Sequence, residues 1–584
     1  MQLRQAILTI NGQTHLLTPN RSNSFEALFV DFQKTEEGSG ERYSVFLHPK
    51  QDVVVQRLEI QFDLPLPPAA KWLANGYQSW SETRVQSAES GIPRLRNIAR
   101  RRMGLYGDEH IPDIPRGSGY LHSWTYTQVR KGASGDSVLF LGSLNERTGF
   151  TLFLYNQSNG ILTIRKDMDG LALSHSFPAL DFVILEGGEQ VVYDAYFQLL
   201  DMQPPSAPPA MGWTSRHRTF PDISEEIVLK NLDSFCAFQT ENLTLPHSAK
   251  SFFQIDDGWQ TQVGDWLSVK PAFPGGMGRM ASNIKGKGLS PGLWLAPFVA
   301  DKDSDLVKKH PDWLLKDAQG RPLRVGWNAM WNGWYFALDF YHPAVQEYLA
   351  GVFHVVCEKW GYELLKLDVL FAVCLAPPPG KTRGQVMYEA MEFLRRQVGQ
   401  RRILGCGVPL GSCFGLVDYC RIGGDIHLAW ENRLLAFLRH RERRSTLAAL
   451  RATLARWRLD GRAFLNDPDV FLLCSDHQNL TPAQQETVLI LNALLGSLLF
   501  TSDDVGQYSP EQTADLTDAL AWRGSLVSAV SEIETDVYRI DLEQQGAAYS
   551  AWCNLTKRAQ NLPTGGKNGD WVALLPFETL VLGR

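Results

Sequence analysis

Two short runs of this chain each end in a carboxylate where a strand gives out: Leu364-Leu365-Lys366-Leu367-Asp368 and Tyr419-Cys420-Arg421-Ile422-Gly423-Gly424-Asp425. Brought together, such a pair can break a glycosidic bond. That reaction passes through an oxocarbenium-like state, which needs an ionised carboxylate beside the anomeric carbon and a protonated carboxyl at the leaving oxygen. Side chains two apart on a strand point the same way, so Lys366 and Asp368 are expected to face one pocket, with the ammonium keeping Asp368 ionised. In Gln254-Ile255-Asp256-Asp257-Gly258-Trp259, the glycine permits a bend that turns both carboxylates toward a common mouth. Two adjacent acceptors there suit sugar hydroxyls. Trp259 and Trp294 offer flat faces for the C–H side of a sugar ring, although each fits a core equally well.

Positioning these residues requires strands that end on one face. From residue 210 onward eight short apolar runs alternate with helical segments: Ala210 to Ser215, Phe252 to Asp257, Gly292 to Ala300, Leu364 to Phe371, Ile403 to Val408, Val417 to Gly423, Ala463 to Leu465 and Ser497 to Thr501. Eight strands over about 300 residues suit a (β/α)8 barrel, in which polar strand ends converge. A doubly wound sheet is the alternative, but no phosphate-binding glycine fingerprint follows the first strand. Before the proline-rich stretch at 203–209, alternating runs such as Arg42 to Leu47 and Gly160 to Ile164 predict an all-β domain. The expected architecture is therefore α/β, a central (β/α)8 TIM barrel over 204–527. It is flanked by an N-terminal β-sandwich over 1–203 and a small C-terminal β domain over 528–584.

Composition narrows the classes. With 44% hydrophobic and 21% charged residues the chain is globular, and its net charge of −6 gives no reason to expect nucleic acid. Two basic runs, Arg94 to Arg102 and Arg439 to Arg444, stand out against that charge; solvated faces or subunit contacts in a homo-oligomer are their expected use. Eight scattered cysteines without a CxxC pair predict free thiols. The start, Met1 to Gly12, reads as a strand turning at Asn-Gly rather than as a signal peptide, and no apolar run is long enough for a membrane span. A cytoplasmic location is expected. A carboxylate-bound metal hydrolase is a competing use of clustered acids, but no His pair has ligand spacing at a strand end, so no cofactor or metal is expected. For a lone Asp at a strand end, such as Asp469 or Asp504, a turn or cap role is the ordinary one.

Six motifs in one order then carry a resemblance: Phe252 to Trp259, Gly292 to Phe298, Leu365 to Asp368, Gly405-Cys406-Gly407-Val408-Pro409-Leu410, Cys420 to Asp425, and Asn466-Asp467-Pro468-Asp469. The chain resembles glycoside hydrolase family 36 of clan D, over most of its length, with its compact bacterial α-galactosidases as the nearest likeness. The N-terminal Trp72 to Trp80 is similar to that family's β domain. The resemblance implies an exo-acting, retaining α-galactosidase with Asp368 as nucleophile and Asp425 as acid/base, the two carboxyls about 5 Å apart. It further implies Asp256 and Asp257 at the O4 and O6 hydroxyls of galactose, Lys366 near O3 and O4, Cys406 and Arg421 on the O2 side, and Tyr77 or Trp80 as an aromatic lent by the β domain. The implied partner is a small galactoside or oligosaccharide. One departure is Arg216-His217, where the family has an aromatic pair; two donors there in place of a stacking wall bear on sugar preference. A second is Gly423-Gly424, expected to leave room beside O2. A related α-glycosidase or transglycosylase with altered sugar preference, for an α-N-acetylgalactosaminide or a pentopyranoside, and a non-catalytic sugar-binding protein are the alternatives.

Overall fold

The computed structural model describes residues 1–584 except 133–136, 169, 217–221, 244–249, 477 and 564–570. Its centre is a nine-stranded parallel sheet. In chain order the strands are β1 (Ala210–Thr214), β2 (Lys250–Ile255), β3 (Ser290–Leu295), β4 (Leu364–Leu367), β5 (Arg402–Gly405), β6 (Tyr419–Arg421), β7 (Leu465–Asp467), β8 (Val470–Phe471) and β9 (Leu498–Thr501). Pairing runs β7-β6-β5-β4-β3-β2-β1-β9-β8. Only Pro468 and Asp469 separate β7 from β8, the two ends of that path, so one interrupted strand closes the sheet into a TIM-like barrel of eight positions.

The strands are almost wholly buried on both faces, as parallel strands under helices must be. Helices such as Glu225–Asn242, capped by Ser224, and Arg383–Val398, closed by a capping box from Thr382, lay their apolar stripes on the barrel. Alternation is imperfect, because a 3-10 turn, Leu410–Ser412, follows β5 in place of an α-helix. The expected strand from Gly292 to Ala300 divides. It leaves the barrel at Leu295, before Ala296-Pro297, and Val299–Asp301 joins a separate three-stranded sheet with Arg324–Asn328 and Gly333–Ala337. Proline removes a ladder donor and disfavours continuation. The expected strand from Leu364 likewise ends at Leu367. Val369 there has a φ of 54°, a left-handed conformation costly for a β-branched residue.

Upstream of the barrel, two antiparallel sheets share an apolar core that includes Leu8, Val45, Ile60, Phe62, Phe153 and Phe182. Downstream, Leu526–Glu534, Val537–Gln544, Ala547–Asn554 and Thr579–Gly583 form a four-stranded antiparallel sheet. All eight cysteines are free thiols. Among the described residues, no helix is long and apolar enough to cross a membrane.

One upstream segment is built into the barrel. The Arg456 side chain, fully buried, donates to Asn75 Oδ1 at 2.9 Å, to the carbonyls of Ser79 (2.8 Å) and Ile422 (2.9 Å), and to those of Gly76 and Gln78 at 3.3 Å. Ser79 completes the joint, its hydroxyl accepting from Gly407 N at 2.8 Å and its own N–H donating to Val408 O at 2.9 Å. Trp80 is thereby carried over β5. Gly407, at φ 61°, has room for that ring because it lacks a Cβ, which would lie 3.0 Å from it.

Candidate active site

A cavity of about 210 Å³ opens at the C-terminal ends of the barrel strands. Asp368, Asp425, Asp257, Arg216, Trp294 and Trp80 all line it. Asp256, Lys366, Cys406 and Arg421 are buried among these residues.

Asp368 is held at two points. Trp294 Nε1–H donates to Oδ2 at 2.9 Å, and the strained Val369 N–H donates to Oδ1 at 3.0 Å. Lys366 gives its hydrogen bond to Asp256 Oδ2 at 2.7 Å, while its charge still favours the ionised form of Asp368. Burial pushes the Asp368 carboxyl above the usual range, against the pull of Lys366 and Arg216, and Asp425 adds to the rise. Asp256 behaves oppositely. Burial opposes its charge, yet Lys366 and Arg216 hold it below the usual range, and Gln254 Nε2 (2.8 Å) completes its bonding. Asp257 receives Trp331 Nε1–H at 2.7 Å and Gln260 Nε2–H at 2.8 Å, and burial raises its carboxyl. Gly258, at φ 117°, supplies the bend that lets the neighbouring carboxylates turn to separate partners.

Asp425 is clamped by two arginines. Arg421 Nη1 donates to Oδ1 and Arg216 Nη2 to Oδ2, each at 2.8 Å, while Arg216 Nη1 also reaches Asp256 at 3.4 Å. Arg421 is more heavily engaged than expected: its remaining donors go to Asp467 (3.0 Å) and Asp469 (2.7 Å), so it braces β6 against β7. Asp503 accepts from Leu473 and Cys474 N–H groups and from Tyr508, a structural duty. Asp504 pairs with Lys230. Among the described residues no group of three His, Cys, Asp or Glu side chains is arranged to hold a metal.

Three further expectations shift. Trp259 is away from the cavity, its ring packed on Trp266 and Trp360 and its Nε1–H given to the Trp294 carbonyl at 3.1 Å, so it is a core residue. Tyr77 is buried against Trp124 and Phe150 with its hydroxyl 3.7 Å from Cys374 Sγ, leaving Trp80 as the aromatic that reaches the cavity. Gly423 and Gly424 open no space. A Cβ on Gly424 would meet the Arg443 carbonyl at 2.9 Å, and one on Gly423 would meet Ala449 at 3.2 Å, so they serve close packing. Cys406 is buried among the charges of Asp368, Arg421 and Lys366, and burial holds its thiol well above the ordinary range. His217 lies outside the described residues.

Several cavity residues have no counterpart in the sequence reading. Trp331 and Tyr335 come from the inserted three-stranded sheet and its turn, and Tyr106 from the upstream segment, its hydroxyl 2.7 Å from that of Tyr335. The tryptophan-rich stretch Trp327 to Trp334 was the available signal, but its turn sets which ring points inward.

Residues 238–388 match the melibiase family model. An α-galactosidase of Escherichia coli is 36% identical over 178 residues, which are 29% of this chain and 24% of that protein; the match thus spans about a quarter of that relative's length. The solved structure of TtGalA from Thermus thermophilus, an α-galactosidase in complex with p-nitrophenyl α-D-galactopyranoside, superposes with a TM-score of 0.69 at 28% identity, over 92% of this chain and 98% of that one. AgaA of Geobacillus stearothermophilus, 12% identical with a TM-score of 0.65, shares the fold. The relatives that this chain resembles are named α-galactosidases. The chain is similar to α-galactosidases of glycoside hydrolase family 36.

Proposed function

We propose that this enzyme is a retaining exo-α-galactosidase that removes terminal α-linked galactose from oligosaccharides or glycosides by double displacement. The observation that carries the reading is the convergence of Asp368 and Asp425 on one cavity, each fixed by donors that leave it facing the same space. In this reading Asp368 attacks the anomeric carbon, and Asp425 protonates the leaving oxygen and later activates water. Asp256 and Asp257 take sugar hydroxyls. Leaving such buried acceptors without their hydroxyl partners penalises the wrong sugar. The galactoside bound by the Thermus relative supports galactose as that sugar.

Arg216 gives the site a resting state of its own. It bridges the sugar-binding Asp256 and the acid/base Asp425, so a galactoside displaces the guanidinium before Asp425 can carry a proton to the leaving group. The same residue favours a second reading, a related α-glycosidase with altered sugar preference, because it sets a cationic donor in the cavity between Asp256 and Asp425. The proposed division of the chain is 1–203, 204–527 and 528–584, with the barrel carrying the chemistry.

A panel of p-nitrophenyl glycosides assayed with the purified chain decides the sugar, and NMR of the first-formed anomer decides retention. Asp368→Asn is expected to lower turnover of p-nitrophenyl α-galactoside by about 10³-fold or more, with unchanged folding. Near-normal turnover by that variant, or release of the β anomer first, would overturn the assignment.

A further inference from the structure

The two basic runs noted in the sequence meet on one surface. Arg96 N–H donates to the Leu438 carbonyl at 3.0 Å, and the Arg96 guanidinium lies 4.0 Å over the Phe437 ring, joining the segment that leads into the short helix Asn97–Met103 to the loop before Arg439. Arg100, Arg101 and Arg102 fill the last turn of that helix and are exposed, as are Arg439 and Arg444. Within the second run Arg441 and Arg443 are ion-paired, to Asp108 and to Glu82 and Glu431. Among the described residues these five arginines have no carboxylate within ion-pair distance. A chain of net charge −6 thus concentrates unneutralised guanidinium groups in one place.

Two of these arginines, Arg102 and Arg444, adjoin the cavity. Arg102 lies 5.3 Å over the Trp327 ring, and Trp327 and Arg444 both line the cavity. The rings available are open to solvent, Trp327 at 41% and Phe437 at 59% exposure. Arg96 and Arg102 each cover one face of these rings, which holds the guanidinium groups in place, and guanidinium forks suit carboxylates bidentately. A second copy packed about a two-fold axis would set this face against itself and oppose like charges. A nucleic acid offers no terminal pyranose to the carboxylate-lined cavity that Arg444 and Trp327 border.

We infer that this platform is the aglycone-side recognition surface for an acidic glycan, whose uronate carboxylates pair with the arginines while its terminal sugar occupies the cavity. The inference rests on the glycosidase reading above. The test compares the full chain with the double variant Arg100→Ser/Arg101→Ser by titration calorimetry. The probes are an oligogalacturonate of defined length, a neutral manno-oligosaccharide of equal length and a short DNA duplex, at low and high salt. The oligogalacturonate is expected to bind the unaltered chain about tenfold more tightly than the variant, and to lose most of that affinity at high salt. The neutral oligosaccharide is expected to bind neither, and both proteins to hydrolyse p-nitrophenyl α-galactoside alike. Equal oligogalacturonate binding to both proteins, equal binding of the neutral probe, tighter binding of DNA, or a self-association in sedimentation that the variant abolishes would each overturn the inference. Oligogalacturonate binding without any hydrolysis of the nitrophenyl substrate would sink the glycosidase reading and leave the platform standing.

Discussion

Arg456 is a guanidinium wholly withdrawn from water and Arg216 one that lines the cavity, and they are satisfied in opposite ways. Arg456 donates only to neutral acceptors, one amide oxygen and four backbone carbonyls, and burial lowers its affinity for a proton to a pKa of about 10. Arg216 donates to two carboxylates that the proposed reaction uses. Carbonyls fixed in a chain segment have no alternative partner, so the first arrangement is a joint. Carboxylates that sugar hydroxyls also seek can exchange partners, so the second is a contact a ligand can replace. Arg456 is also the more deeply buried and has five acceptors against two for Arg216, but it is the charge of the acceptors that decides which contact a ligand can replace.

The largest expected effect breaks the joint. Arg456→Met keeps length and apolar bulk but leaves the acceptors of residues 75, 76, 78, 79 and 422 without a buried donor, at a cost of about 3–5 kcal/mol. Chemical denaturation of the purified variant measures this. A loss below about 1 kcal/mol would mean that water takes over the acceptors and that the joint is not what seats Trp80.

Much of this arrangement was legible in the sequence, and the rest was not, for identifiable reasons. Buried apolar runs bounded by polar strand ends revealed the barrel strands, because parallel strands under helices have no solvent face to interrupt them. Period-2 alternation also placed Lys366 and Asp368 on one side of β4. It says which way a side chain points but not which neighbour lies within 3 Å, so Lys366 was set beside Asp368 when it is Asp256, just past β2, that accepts its hydrogen bond. Trp331 escaped because its direction is set by a turn in an inserted sheet. The Gly423-Gly424 pair misled because absent side chains read as space, whereas the Arg443 carbonyl and Ala449 fill it. Arg456 carried no local signal at all: its acceptors lie on a segment far away in the chain.

A smaller effect sharpens the comparison from the scaffold side. Glu82 closes the segment that Arg456 anchors, pairing with Arg443 at 2.7 Å and lying 3.7 Å from Arg451. Although burial opposes its charge, Arg443, Arg84 and Arg451 hold its carboxyl down to about 2 against an ordinary 4.5. A lowered folded-state value stabilises the fold above the unfolded value and loses that contribution as the pH falls from about 4.5 toward 2. Glu82→Gln is therefore expected to cost about 2 kcal/mol at pH 7 and visibly less at pH 3.5, by denaturation at both pH values. A cost independent of pH would make Glu82 a packing residue, and the joint would then owe nothing to charge.

The smallest effect on stability, and the most informative, falls on Arg216. Its removal leaves Asp256 still bonded to Lys366 and Asp425 still bonded to Arg421, so neither carboxylate is stranded. Arg216→Ala is accordingly expected to destabilise the fold by no more than about 1 kcal/mol, in contrast to Arg456→Met. Its effect belongs in binding. A guanidinium that a galactoside must displace raises the apparent KM, so the variant is expected to show a KM for p-nitrophenyl α-galactoside about tenfold lower, with kcat changed less. Steady-state kinetics separate the two parameters. A KM that rises instead would mean that Arg216 holds the sugar, and the sugar preferred by this pocket would then have to present an acceptor where galactose presents a hydroxyl to Asp256.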